Sequence, residues 1–176
     1  MTKNSIALIG FMATGKTIIG KELVKQLGND YQFIETDQMV VKMAGKSINK
    51  IFKEEGELIF RRYEKDACKN ASNLKKTVVS CGGGVILNEK NIRNLKKKCY
   101  IILLTATTDE IYNRIMRNGK KKRPLVDKEN PKKEIENILQ YREPLYRSVA
   151  DITIDTTNKE IIEIVHEIIT KTKINE

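Results

Sequence analysis

Lys16 and Thr17 are the residues of this chain best placed to do chemistry. They close the stretch Gly10-Phe11-Met12-Ala13-Thr14-Gly15-Lys16-Thr17, which fits the phosphate-binding pattern G-x-x-x-x-G-K-[ST]. Glycines at the two fixed positions let the backbone curl until successive N–H groups point inward and cradle an anion. Ala13, Thr14, Gly15, Lys16, Thr17 and Ile18 carry those groups. A helix beginning here adds the positive end of its dipole. Lys16 can then reach the β- and γ-phosphates of a nucleoside triphosphate, and the Thr17 hydroxyl can ligate Mg²⁺. A strand before the loop and a helix after it would confirm the motif. Ser5–Ile9 is an apolar run of strand length, and Ile19, Leu23 and Leu27 recur at helical spacing.

Three more stretches carry candidate chemistry. Glu35-Thr36-Asp37 sets two carboxylates two residues apart at a strand end. One can hold magnesium through water while the other orients or deprotonates an attacking hydroxyl. Acids at a helix N-terminus explain the same residues structurally. Ser80-Cys81-Gly82-Gly83-Gly84 puts bare backbone against something flat or bulky. Arg117-Asn118-Gly119-Lys120-Lys121-Lys122-Arg123-Pro124-Leu125 reads as a mobile lid over about 117–129 that brings positive charge over phosphates and expels water. Arg61 and Arg62, taken alone, read as solvated helix charges, with Glu57–Arg61 an ordinary i,i+4 pair; Arg142 is a basic residue in the helix before the last strand and alone says little.

The elements that must position these residues alternate between strand and helix. Strands are predicted at Ser5–Ile9, Tyr31–Ile34, Thr77–Ser80, Tyr100–Leu104 and Ile152–Ile154. Helices fill the gaps. Thr107 with Glu110, and Thr157 with Glu160, read as capping boxes. The pattern predicts an α/β chain: a three-layer α/β/α domain around the P-loop, with a five-stranded parallel sheet, a lid, and ligands beyond the carboxyl ends of the strands. The 176 residues predict one domain over the whole chain.

Composition narrows the class. Hydrophobic residues make up 40% and charged residues 32%, and no apolar run is long enough to span a membrane. The apolar start ends at Gly10, too short for a signal peptide. Cytoplasmic location is the expectation. Cys68, Cys81 and Cys99 are odd in number and widely spaced, which suits buried thiols rather than a disulfide or zinc framework. His166 is the only histidine, so a histidine-based triad is not expected. The net charge of +10 is lysine scattered along helices without an aromatic stacking platform, and argues for anionic small molecules over nucleic acid.

Together these stretches resemble the shikimate kinase family over nearly the whole chain. The family's P-loop G-F-M-x-x-G-K-[ST], with a further glycine, matches Gly10–Thr17 and Gly20. Its D-x-D matches Glu35-Thr36-Asp37. Its G-E-x-x-F-R-x-x-E matches Gly56, Glu57, Phe60, Arg61 and Glu64. Its G-G-G matches Gly82, Gly83 and Gly84, its R-P-L matches Arg123-Pro124-Leu125, and its R-x-P-x-Y matches Arg142, Pro144 and Tyr146. The resemblance implies ATP- and Mg²⁺-dependent phosphorylation of the 3-hydroxyl of shikimate, on the route to chorismate and the aromatic amino acids.

It also implies residue roles. Arg61 and Arg142 would clamp the shikimate carboxylate. Asp37 would bind ring hydroxyls and serve as base, with Gly82, Gly83 and Gly84 touching the ring. Lys16 and Arg123 would neutralise the transferring phosphoryl group. Arg117 matches a lid-base arginine near the adenine, and Glu64 would hold Arg61. A substrate-binding helical segment is implied at about 36–72. Shikimate and ATP are the implied partners of a monomer without nucleic-acid or membrane partners. Glu35 stands where the family usually has Asp, so its magnesium role, through water, is less direct than that of Thr17. Ala13 stands where glycine is common, outside the two obligatory glycine positions. A gluconate or nucleoside monophosphate kinase, or a nucleotide-dependent switch, are the alternatives; turnover of a small hydroxy acid separates the enzyme from the switch.

Overall fold

The structure, a computed structural model, describes residues 3–117 and 130–174. β1 (Ser5–Ile9) is buried throughout, and its period-two alternation serves two layers at once. Ile6 and Leu8 join one core, Ala7 and Ile9 another. Beside it lie β2 (Gln32–Glu35), β3 (Thr77–Ser80), β4 (Cys99–Thr105) and β5 (Ile152–Asp155), paired in parallel in the order β2-β3-β1-β4-β5. The chain first builds to one side of β1 and then, with β4, to the other. The reversal lies next to the carboxyl end of β1, where ligands settle in open parallel sheets.

One face of the sheet is covered by α1 (Lys16–Leu27) and α8 (Ile161–Thr172), through Ile19 and Leu23 of α1 and Ile164, Val165 and Ile168 of α8. The other is covered by α4 (Glu57–Asn73), α5 (Glu89–Lys96) and α7 (Pro131–Val149), which contribute Cys68, Ala71, Ile92, Leu95 and Tyr146. α2 (Thr36–Ala44) and α3 (Ile48–Glu54) pack on α4 around Val40, Ile51 and Phe60. α6 (Thr108–Arg117) and α7 share a fourth core with Phe11. The three layers and the five parallel strands are those the sequence predicts.

Details differ at the element ends. β2 runs one residue further than expected, so Glu35 is its last residue and Asp37 lies in the first turn of α2. Thr107 accepts the Glu110 N–H at 3.3 Å, but the Glu110 carboxylate pairs with Arg114 at 2.7 Å instead of closing a capping box. The second expected box shifts by a turn: Glu160 caps α8 and Glu163 is its partner. The cause is Asp155, which accepts both the N–H and the hydroxyl of Thr157 and holds it in a turn. All three cysteines are buried, and burial pushes the Cys99 thiol up to about 11. His166 is exposed.

Candidate active site

The loop after β1 is shaped by backbone that only glycine tolerates. Gly10 has φ 138° and a Cβ there would run into the Leu104 carbonyl; Gly15 has φ 94°. Ala13 adopts φ 60°, a left-handed conformation that glycine takes without strain. An L-residue in this region costs on the order of 1–2 kcal/mol. Arg114 supports it, donating to the Ala13 carbonyl at 3.2 Å. Thr14 is buried and donates to the Phe11 carbonyl at 2.8 Å. The Lys16 ammonium lies over the loop and donates to the Gly10 and Phe11 carbonyls at 2.9 and 2.7 Å.

Thr17 donates to the Glu35 carboxylate at 2.6 Å. β3 lies between β2 and β1, so Glu35 reaches across about 10 Å of sheet to the helix that follows β1. The extra methylene of Glu over Asp helps span that gap. One hydroxyl and one carboxylate suit Mg²⁺, which takes few protein ligands and completes its shell with waters and phosphate oxygens. Among the described residues no group of three His, Cys, Asp or Glu side chains offers a richer metal cage.

The other end is assembled from side chains of distant segments. Arg61 on α4 pairs with Glu57 at 2.9 Å and with Glu64 at 2.9 Å. Glu64 is 1% exposed; burial raises its pKa, with Arg61 pulling it back down and Asp37 adding to the rise. The pKa of Asp37 is also raised, by burial first and by Glu35, while Lys16 and Arg61 oppose the shift. Arg142 on α7 donates to the Gly83 carbonyl at 3.4 Å.

Each of the three glycines meets a different charged side chain. A Cβ on Gly82 would sit 2.5 Å from the Asp37 carboxylate, one on Gly84 would collide with the Arg61 guanidinium, and Gly83 receives Arg142. Gly82 and Gly84 thus make room for the protein's own charges, while a Cβ on Gly83 would meet only ordinary contacts.

A cleft of about 710 Å³ connects the two ends. Ala13, Thr14, Gly15, Lys16, Thr17 and Ile18 line it, with Glu35, Asp37, Gly82 and Gly83 beyond. Gly84, Arg61 and Arg142 adjoin it through those residues without lining it. Arg117 ends α6 and does not line it either; Arg114, one turn earlier, does. Arg123 and the rest of the expected lid after Arg117 lie outside the described residues.

Sequence reasoning missed the far wall, formed by Arg114, Thr156 and Lys159. Arg114 donates to the Thr156 hydroxyl and carbonyl at 3.0 and 2.8 Å, tying the phosphate loop to the loop after β5. Two signals were present: the Glu110–Arg114 spacing of four, and the rule that every loop at the carboxyl edge faces the ligand.

A phosphate-binding loop, with an acid in the cleft and two arginines adjoining it, has the parts that phosphoryl transfer uses. A family model described as Shikimate kinase matches residues 12–173. The chain belongs to the shikimate kinase family. It is 47% identical over 165 residues to a shikimate kinase of Caldanaerobacter subterraneus subsp. tengcongensis, covering 94% of each protein. A shikimate kinase of Acinetobacter baumannii solved in complex with shikimate superposes with a TM-score of 0.89 at 32% identity, covering 99% of this chain and 95% of that one. A gluconokinase of Sinorhizobium meliloti superposes with a TM-score of 0.67 at 16% identity, covering 97% of this chain and 91% of that one, which shows the shared fold alone. As a member of the family the chain is a phosphotransferase acting on a hydroxyl group, with ATP as co-substrate.

Proposed function

We propose that this enzyme transfers the γ-phosphoryl group of ATP to the 3-hydroxyl of shikimate, giving shikimate 3-phosphate. The observation that carries the reading is the run of three glycines, each against one of Asp37, Arg142 and Arg61. A compact ring bearing one carboxylate and several hydroxyls matches that set: guanidinium groups take the carboxylate, and the acid with the bare N–H groups takes hydroxyls. The resemblance of the whole motif series to the family supports the same assignment.

In this reading the backbone N–H groups from Ala13 to Ile18 and the Lys16 ammonium hold the phosphates. Lys16 leaves the loop carbonyls it now contacts and turns to the γ-phosphate, where charge spreads in transfer. Thr17 would hold magnesium, with Glu35 acting through water; the ion supplies charge neutralisation on the phosphates. Asp37 orients the attacking hydroxyl and takes its proton. Its raised pKa brings it toward the working pH, which favours a base. Arg61 and Arg142 fix the ring by its carboxylate so that attack is in line. Arg114, which lines the cleft, is assigned to the adenine, the place that the family resemblance gave to Arg117. Arg123 is assigned to the transferring phosphoryl group, at the head of a lid over about 117–129. The helices from 36 to 72 form the acceptor-binding segment of a single domain. A cytoplasmic monomer without nucleic-acid or membrane partners completes the reading, and no described helix is long and apolar enough to cross a membrane.

The test is ADP release from Mg-ATP with shikimate, gluconate, AMP or no acceptor. Turnover with shikimate far above the other three is expected. Turnover with gluconate instead would overturn the roles of Arg61 and Arg142 while leaving the nucleotide site standing.

A further inference from the structure

The glycine run is held from behind by residues that do not line the cleft. Its entry and exit are secured by main chain: Cys81 N–H donates to the Leu8 carbonyl at 3.0 Å, Val85 N–H to Gly82 at 3.1 Å, and Leu87 N–H to Gly84 at 3.0 Å. Asn91, fully buried on α5, adds a bond to the Val85 carbonyl at 3.2 Å. The middle of the run depends on side chains. The Thr36 hydroxyl accepts the Gly82 N–H at 2.9 Å. The Tyr146 hydroxyl donates to the Gly83 carbonyl. Thr36 is 0% and Tyr146 2% exposed. Tyr146 instead borders a separate cavity of about 320 Å³ behind the loop.

We propose that Thr36 and Tyr146 are positioning residues that set how the glycine run faces the acceptor. The inference rests on the acceptor site proposed above and deepens it. In a trans peptide the carbonyl and the following N–H point opposite ways. Fixing the Gly83 carbonyl onto Tyr146 therefore turns the Gly84 N–H away from α7. Among the described residues the N–H groups of Gly83 and Gly84 donate to no protein acceptor, though both residues are half-buried. Buried donors are normally satisfied, so these two are left for an oxygen of the ligand. The same Gly83 carbonyl accepts from Arg142 at 3.4 Å, so one carbonyl gathers the phenol and a guanidinium of the clamp. Burial holds that phenol protonated, with its pKa pushed up to about 12, so it remains a donor across the working range. Thr36 acts from the opposite side, as the residue before the base Asp37.

The experiment is steady-state kinetics on wild type, Tyr146→Phe, Thr36→Val and Thr36→Ser. Tyr146→Phe keeps the ring in its core and removes only the hydroxyl. It should raise KM for shikimate about tenfold and leave KM for ATP within about twofold, the scale of one lost hydrogen bond. Thr36→Val should shift the same constant in the same direction, and Thr36→Ser should restore it. A purely structural role would move both KM values together or neither; either result for Tyr146→Phe overturns the proposal. Should that variant fail to fold, Thr36→Val against Thr36→Ser decides by the same criterion. A wild type active on shikimate with an unaffected Tyr146→Phe overturns this inference alone. A wild type that ignores shikimate overturns the acceptor reading, and this inference with it.

Discussion

In the proposed function the two ends of the site share one task, holding anions, and meet it by different means. The phosphate end is built from backbone. Eight contiguous residues, two of them glycines in positive-φ conformations, present N–H groups at the start of a helix, and one lysine adds the only full positive charge of the loop. The acceptor end is built from side chains on α2, α4 and α7 around a loop from β3, with ions partly removed from water. Backbone dipoles stay in place whether or not a ligand is bound. Buried ions have to be compensated, and here they are compensated incompletely: Asp37 and Glu64 both have raised pKa values, with burial the leading cause. The phosphate end is therefore expected to cost little stability beyond the strain at Ala13, and the acceptor end to trade stability for function through its buried ions.

The largest expected effects break one end at a time. Lys16→Met and Asp37→Asn should each lower turnover at least ~10²-fold, the usual scale for one preorganised charged group. Their effects on stability should diverge. A folded-state pKa above the unfolded value means that Asp37 favours folding at low pH, and that this contribution is lost as pH rises from about 3.9 through the raised folded value. At neutral pH the ionised carboxylate is a burden, so Asp37→Asn should raise Tm while abolishing activity. Lys16→Met should not raise it, since it also removes a charge that favours the ionised Asp37. The acid limb of kcat/KM for shikimate should lie above the ordinary carboxylate range in the wild type. Thermal melts and a pH–rate profile check all three points; an inactive Asp37→Asn protein with unchanged Tm would contradict the trade.

The contrast also explains what could be read from sequence. The phosphate loop was legible because its function follows from glycines at fixed local spacing, and the strands around it from period-two apolar runs. The acceptor end was not legible from spacing. Arg61 in isolation looks like half of an i,i+4 pair with Glu57, and that pair does exist; only the fold brings it to Gly84. Arg142 lies 81 positions further along the chain, and only the family resemblance joined the two. Local rules misled where two neighbours competed for one partner, as with Asp155 taking Thr157 from the expected cap of α8. Tyr146 acts through the Gly83 carbonyl, which no side-chain pattern announces, and the spacing of Arg114 from Glu110 hinted at its ion pair but not at its bonds to Ala13 and Thr156.

The two arginines sharpen the comparison within the acceptor end. Arg61→Ala leaves the nearly buried Glu64 without its ion-pair partner. It should cost about 2–4 kcal/mol of stability, reduced from a fully buried pair because Arg61 is partly exposed and Glu64 can take up a proton. In a chain of this length that is a Tm drop of roughly 5–10 °C. Arg142 donates to the Gly83 carbonyl; among the described residues it forms no salt bridge, though its charge favours the ionised Glu64. Arg142→Ala should raise KM for shikimate on the order of 30-fold and move Tm little, with KM for ATP unchanged. Equal Tm losses in the two variants would show that the clamp and its counter-ions form one unit.

The smallest expected effect lies where the two ends meet. Glu35 is the last residue of a strand at the sheet edge, yet its carboxylate reaches Thr17 at the head of α1. Glu35→Asp shortens that reach by about 1.5 Å, enough to break the 2.6 Å bond to the Thr17 hydroxyl but not to exclude a bridging water. If the metal is held by Thr17 and shared with Glu35 only through water, the variant should change the Mg²⁺ concentration for half-maximal rate by about threefold or less, with KM for shikimate unaltered. A direct carboxylate–metal bond predicts a larger shift in that concentration, because Mg²⁺ demands near-ideal octahedral geometry. A Mg²⁺ titration at saturating ATP and shikimate separates the two cases. A shift in shikimate KM would mean instead that Glu35 acts through Asp37, whose pKa it helps to raise, and belongs electrostatically to the acceptor end.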